Sequence, residues 1–86
     1  MASYRIEWKS SASKELRKLS KTAISHVLRA IEALADDPRP DGIRKLTISR
    51  NTYRIRVGDI RVVYNIYDKR LIVEVIRVRN RKEAYR

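Results

Sequence analysis

Residues 53–64, YRIRVGDIRVVY, restrict what this chain can fold into more than any other stretch. Apolar and basic residues alternate with period two, the pattern breaks at Gly58-Asp59, and it then resumes. Alternation of this kind marks strands with one buried face, and a glycine-led pair between two such runs marks a tight hairpin. A two-residue loop fixes the register: Val57 faces Ile60, Arg56 faces Arg61, Ile55 faces Val62 and Arg54 faces Val63. Successive strand side chains point to opposite sides. Tyr53, Ile55, Val57, Ile60, Val62 and Tyr64 therefore make a core face, and Arg54, Arg56 and Arg61 share the other.

Like charges directly opposed on a sheet are destabilising. Two guanidinium groups ~6 Å apart at an effective dielectric of ~20 repel by up to about 3 kcal/mol, most of it relieved by splaying into water. One arginine on an open strand face is often only a solvated residue that discourages edge pairing. Three in one small area point to an anion site, phosphate above all.

The remaining elements follow from the same periodicities. Residues 4–8 (YRIEW) alternate as a first strand, with Trp8 read as core rather than as a platform for a base. Ser10 or Ser11 caps a helix in which Ala12, Leu16 and Leu19 recur at helical spacing. Ser20-Lys21-Thr22 breaks it and caps a second helix, whose stripe is Ile24, Val27, Leu28, Ile31, Leu34 and Ala35. His26 falls off that stripe and reads as a surface residue. Residues 36–42 (DDPRPDG) form a linker, since two prolines and a glycine stop the helix and turn the chain. Residues 43–48 (IRKLTI) read as a short strand, and Asp68-Lys69 as a second tight turn into residues 71–78. That turn puts Leu71, Val73 and Val75 on the core face and Glu74 opposite Val63, as a salt-bridge partner for an arginine first and a base second. The expected fold is α+β: an αα-hairpin packed on one face of a small antiparallel β-sheet, in the order β-α-α-β-β-β-β, forming one domain over residues 1–86.

Composition narrows the partners. The net charge is +11 over 86 residues, with no cysteine and one histidine, so neither a disulfide framework nor a zinc site is expected. No apolar run reaches the ~20 residues of a membrane span, and the opening MASYRIEWK lacks the apolar core of a signal peptide; a cytoplasmic protein is expected. Residues 1–43 carry eight Lys/Arg against six Asp/Glu, whereas residues 44–86 carry thirteen against four, ten of the thirteen being Arg. So basic a half attracts polyanions: nucleic acid, an acidic protein or anionic lipid. Lipid fits least, because the basic residues lie on strands rather than on an amphipathic helix.

Glycine-rich phosphate loops, nucleophile elbows, metal-ligand clusters and His/carboxylate pairs are missing from the sequence. A basic face with tyrosines suits RNA cleavage without a metal or other cofactor. There a 2′-hydroxyl attacks the neighbouring phosphorus and arginines stabilise the charge that builds on the phosphate. The residues KL at 45–46, YRIRVGDIRVVY at 53–64 and VIRVRNRKEAYR at 75–86 resemble the RelE/ParE toxin superfamily, and its RelE-like members in particular. The resemblance implies a ribosome-dependent endoribonuclease that cuts mRNA in the decoding site and is silenced by a cognate antitoxin, whose acidic, amphipathic segment wraps the basic face. By the same resemblance, Arg54 and Arg56 take the two basic third-strand positions. Arg61 is the phosphate clamp, Arg81 the general acid, Tyr85 the stacking or proton-handling tyrosine, and Lys45 the basic residue of the KL strand. Arg77, Arg79 and Lys82 add phosphate-binding charge.

One departure stands out. The best-known pattern has lysines at the third-strand positions, one of them proposed as general base, whereas arginine stays protonated at neutral pH. Catalysis then rests on positioning and charge stabilisation, with ribosomal RNA or Tyr85 helping to move the proton; or Glu74 is the base; or the protein binds and cuts weakly. Two other classes share the same basic face, a ParE-like inhibitor of DNA gyrase and a non-catalytic nucleic-acid-binding module.

Overall fold

The computed structural model describes residues 3–80, and Arg81, Lys82 and Tyr85 lie outside them. The described elements are β1 (Arg5–Trp8), α1 (Ser10–Arg17), α2 (Lys21–Ala33), β2 (Arg44–Lys45), β3 (Thr52–Val57), β4 (Ile60–Tyr67) and β5 (Ile72–Asn80). They form one five-stranded sheet in the order β1-β5-β4-β3-β2. The two helices cover one of its faces, and Ala12, Val27, Ile31 and Leu34 meet Val62, Tyr64, Val73, Val75 and Val78 in the core. Each Val or Ile side chain buried there contributes about 1.5–3 kcal/mol.

The central hairpin has the register its sequence dictates, from Val57 opposite Ile60 to Arg54 opposite Val63. Gly58 has φ +61°, and Asp59 is not among the residues with positive φ. This fits a type II′ turn, which takes glycine at its first central position. Helix α2 is capped as expected, the Ser20 hydroxyl accepting a hydrogen bond from the Ala23 amide at 3.2 Å. The side-chain cap expected for α1 is not formed, and the N-cap position is Lys9. In the stripe of α2, Leu28 sits at the margin, 36% exposed.

Five expectations are corrected. The sheet is not wholly antiparallel: β1 pairs in parallel with β5, Ile6 beside Val73 and Trp8 beside Val75. This still puts Ile6 and Trp8 on the core face. The strand expected over 43–48 shrinks to Arg44–Lys45, and Ile48 is 74% exposed in the loop that follows. The β4–β5 connection is longer than a two-residue turn, because Tyr67 pairs with Ile72. Leu71 leaves the core face for a left-handed turn position, φ +54° and 40% exposed. Glu74 consequently faces Asn65, and Arg77 takes the place opposite Val63.

A β-bulge makes that last exchange possible. Tyr64 pairs with Val75 but Val63 pairs with Arg77, leaving Ile76 as the extra residue of β5. A bulge shifts side-chain parity by one. Before it Val73 and Val75 point into the core; after it Val78 does, 2% exposed, and Arg77 and Arg79 turn to the open face.

The linker is tied to the sheet rather than loose. Arg39 donates to both Asp68 oxygens, Nη1 to Oδ1 at 3.0 Å and Nη2 to Oδ2 at 2.8 Å, and its guanidinium lies 5.2 Å from the centre of the Tyr53 ring. Tyr4 donates its hydroxyl to the same carboxylate at 2.7 Å. The fully buried Tyr64 donates to the Pro38 carbonyl at 2.9 Å, and burial pushes its phenol well above the usual range.

Candidate nucleic-acid interface

Directly opposed residues of adjacent strands share a face, so the register builds the open side of the sheet in rungs. The first rung, at the hairpin end, is Arg56, Arg61 and Arg79. The second is Arg44, Arg54, Val63 and Arg77. The third is Thr52, Asn65, Glu74 and Glu7. Rungs lie two residues apart along a strand, about 7 Å. The open face is therefore cationic at one end and grades into carboxylates and amides toward the other.

The first two rungs enclose a concavity of about 280 Å³ lined by Leu46, Arg54, Arg61, Val63, Arg77 and Arg79. Arg54 and Arg61 are half-buried in it, while Arg77 and Arg79 are exposed. Arg56 is exposed across from Arg61, at the hairpin end. Arg79 also reaches the helical layer, its Nε donating to Glu15 Oε2 at 3.0 Å. Glu15 Oε1 accepts from the Val78 amide at 2.9 Å, so this side chain of α1 pairs with β5 beyond the last β1 partner, Val75. Lys45 stands opposite Tyr53, on the parity of the core face, and Arg44 is the β2 residue that shares the face of Arg54. Sequence reasoning passed over Arg44; the alternation Arg44-Lys45-Leu46 carried the signal, but a two-residue strand gave no anchor for its phase. Among the described residues no group of three or more His, Cys, Asp or Glu side chains stands ready to hold a metal ion, and no helix is long and apolar enough to cross a membrane.

Chemically, this surface can hold a phosphate between guanidinium forks and stabilise additional negative charge on it, since arginine suits bidentate phosphate contacts. An apolar floor of Leu46 and Val63 limits competition from water around those groups.

Comparisons with known proteins agree with this architecture. The sequence model described as the ParE toxin of the type II toxin–antitoxin system, parDE, matches residues 6–85. The chain belongs to this family of type II toxins, within the RelE/ParE superfamily. Among solved structures, the archaeal RelE–RelB complex of Pyrococcus horikoshii matches at 27% identity and TM-score 0.82, over 94% of this chain and 97% of that one. A doubly substituted Escherichia coli toxin RelE, in complex with an antitoxin RelBc peptide, matches at 30% identity and TM-score 0.77, over 99% and 92%. The toxin–antitoxin complex RelBE2 of Mycobacterium tuberculosis matches at 26% identity and TM-score 0.79, over 92% and 99%. No curated protein matches the sequence in direct comparison.

Proposed function

We propose that this toxin is an mRNA interferase: it enters the decoding site of the ribosome and cuts the message there without a metal. The observation that supports this reading is the gathering of Arg54, Arg61 and Arg77 around one concavity on the face the helices leave open. A phosphate seated there has its developing charge met by preorganised donors, the effect that dominates phosphoryl-transfer catalysis. The 2′-oxygen forms a bond to phosphorus, the bond to the 5′-oxygen breaks, and the products are a 2′,3′-cyclic phosphate and a 5′-hydroxyl. Guanidinium groups already carry their proton at neutral pH and cannot accept the 2′-proton. Ribosomal RNA takes it, directly or through the Tyr85 phenol, which passes on its own proton as it accepts this one, and Arg81 supplies the proton to the leaving 5′-oxygen and regains one from water. The partner that silences the toxin is an antitoxin with an acidic, amphipathic segment, laid along the cationic rungs. Relatives of this fold solved as complexes with RelB antitoxins support a protein partner of this kind.

Expression without antitoxin arrests growth, and Arg61→Ala or Arg81→Ala relieves the arrest while the purified variants keep a native circular-dichroism spectrum. Full toxicity of both variants contradicts the assigned site. A second reading rests on the family match itself, which carries the ParE name: a ParE-like poison of DNA gyrase with no nuclease chemistry. It requires trapped, cleaved DNA and a DNA-damage response, with messages left intact.

A further inference from the structure

The third rung of the open face is built differently from the two cationic ones. Thr52, 2% exposed, donates its hydroxyl to Asn65 Oδ1 at 2.6 Å and shares a hydrogen bond with the Ser49 hydroxyl. With its oxygen engaged by Thr52, the Asn65 amide turns its Nδ2 toward Glu74 Oε1 at 3.2 Å and the Tyr67 hydroxyl, also at 3.2 Å. Tyr67 in turn donates its hydroxyl to the same Glu74 Oε1 at 3.3 Å. The Arg70 guanidinium lies 5.8 Å from the centre of the Tyr67 ring, which braces that side chain from the β4–β5 turn. One oxygen of Glu74 thus takes two donors, and the other, Oε2, has no hydrogen-bond partner among the described residues. A chain of bonds across three strands holds an acceptor ready, one rung away from the phosphate concavity.

A carboxylate is acceptor-only, and its engaged oxygen leaves a single free one. That oxygen suits one exocyclic amino donor, N4 of cytosine or N6 of adenine, on the exposed edge of a single-stranded base. Uracil presents O4 at that place, an acceptor facing an acceptor. The paired donors of guanine are best met by both oxygens of a carboxylate, and here one is occupied.

We infer that Glu74, held by Asn65 and Tyr67, reads an amino-bearing base, cytosine or adenine, next to the phosphate clamped by Arg54, Arg61 and Arg77. The inference rests on the proposed cleavage of mRNA and adds to it a determinant of sequence preference. Glu74 serves as a reader of the base and not as the general base.

The test uses ribosomes programmed with messages that differ in one base of the decoding-site codon, each codon position varied in turn, under single-turnover cleavage. At one position, the wild-type protein cuts messages bearing cytosine or adenine about 10-fold faster than those bearing uracil, the size of one hydrogen bond to a charged acceptor. In Glu74→Gln, the amide keeps Oε1 for Asn65 and Tyr67 and puts an Nε2 donor in place of Oε2, so the preference shifts to uracil. Tyr67→Phe, which removes one donor to Oε1, lowers the preference and leaves the rate on the uracil message unchanged. A wild-type protein without such a preference overturns the inference, and so does a preference that survives unaltered in both variants. Failure to cut any programmed message defeats instead the proposed function from which the inference starts.

Discussion

Arg61 and Arg77 occupy neighbouring rungs of the open face, and both line the same concavity. If Arg61 stabilises charge that exists only as the phosphate reacts, Arg61→Ala lowers single-turnover cleavage by about 10²–10³-fold. The same substitution removes no core contact and leaves the melting temperature nearly unchanged. That contrast separates a group that acts on substrate from one that holds the fold. Asp68 shows the opposite behaviour. Bonds from Arg39, and then from Tyr4, hold its carboxyl down to about 2, against about 4 in an unfolded chain. Folding therefore favours the charged form, whose stabilisation is complete above about pH 4 and is lost as the pH falls toward 2. The pair is half-exposed, so screening by water keeps the effect modest. Melting curves of wild type and Asp68→Asn should differ at pH 6 and converge near pH 2.

At the scale of elements, the hairpin is the part that local sequence determines. Gly58 supplies a positive φ that a β-branched residue rarely adopts. Nothing lies within 4 Å of where its Cβ would stand, so Gly58→Val suffers from backbone strain alone. The expected loss is about 1–2 kcal/mol in a denaturant titration, with cleavage per folded molecule retained. The register of Arg54, Arg56 and Arg61 was legible because two strands joined by two residues have one pairing that buries Ile55, Val57, Ile60 and Val62. Ser20 announced α2, and the apolar stripe announced which side it packs. The position of Arg77 was less accessible. Val73, Val75 and Val78 break strict alternation, which is the written trace of the bulge at Ile76, but only a partner strand shows where the extra residue sits. The parallel pairing of β1 with β5 has no turn to signal it, since more than sixty positions of chain separate Trp8 from Val75. Lys45 and Arg44 differ by a phase that the short β2 left undetermined. Glu74 was displaced by two residues of turn, and that displacement moved it from the arginine cluster to the amide network.

For the whole molecule, the geometry turns a net charge of +11 into a directed surface. The helices and apolar side chains fill one side of the sheet, and the arginines of β3, β4 and β5 fill the other. A single-stranded RNA bound there displaces counterions, so its affinity falls with salt by a log–log slope of about 0.7 per phosphate contacted. Arg77→Ala should reduce that slope by about one such increment, measured by fluorescence anisotropy between 50 and 200 mM salt. Basic modules of many kinds share such a slope, and it therefore speaks to the surface rather than to the reaction. The central claim is that this surface cuts messages held by ribosomes, and it is tested most directly by mapping mRNA 5′ ends on translating ribosomes after induction of the toxin. New ends should fall within decoding-site codons for the wild-type protein and vanish for Arg61→Ala; intact messages alongside gyrase-trapped, cleaved DNA would contradict the claim.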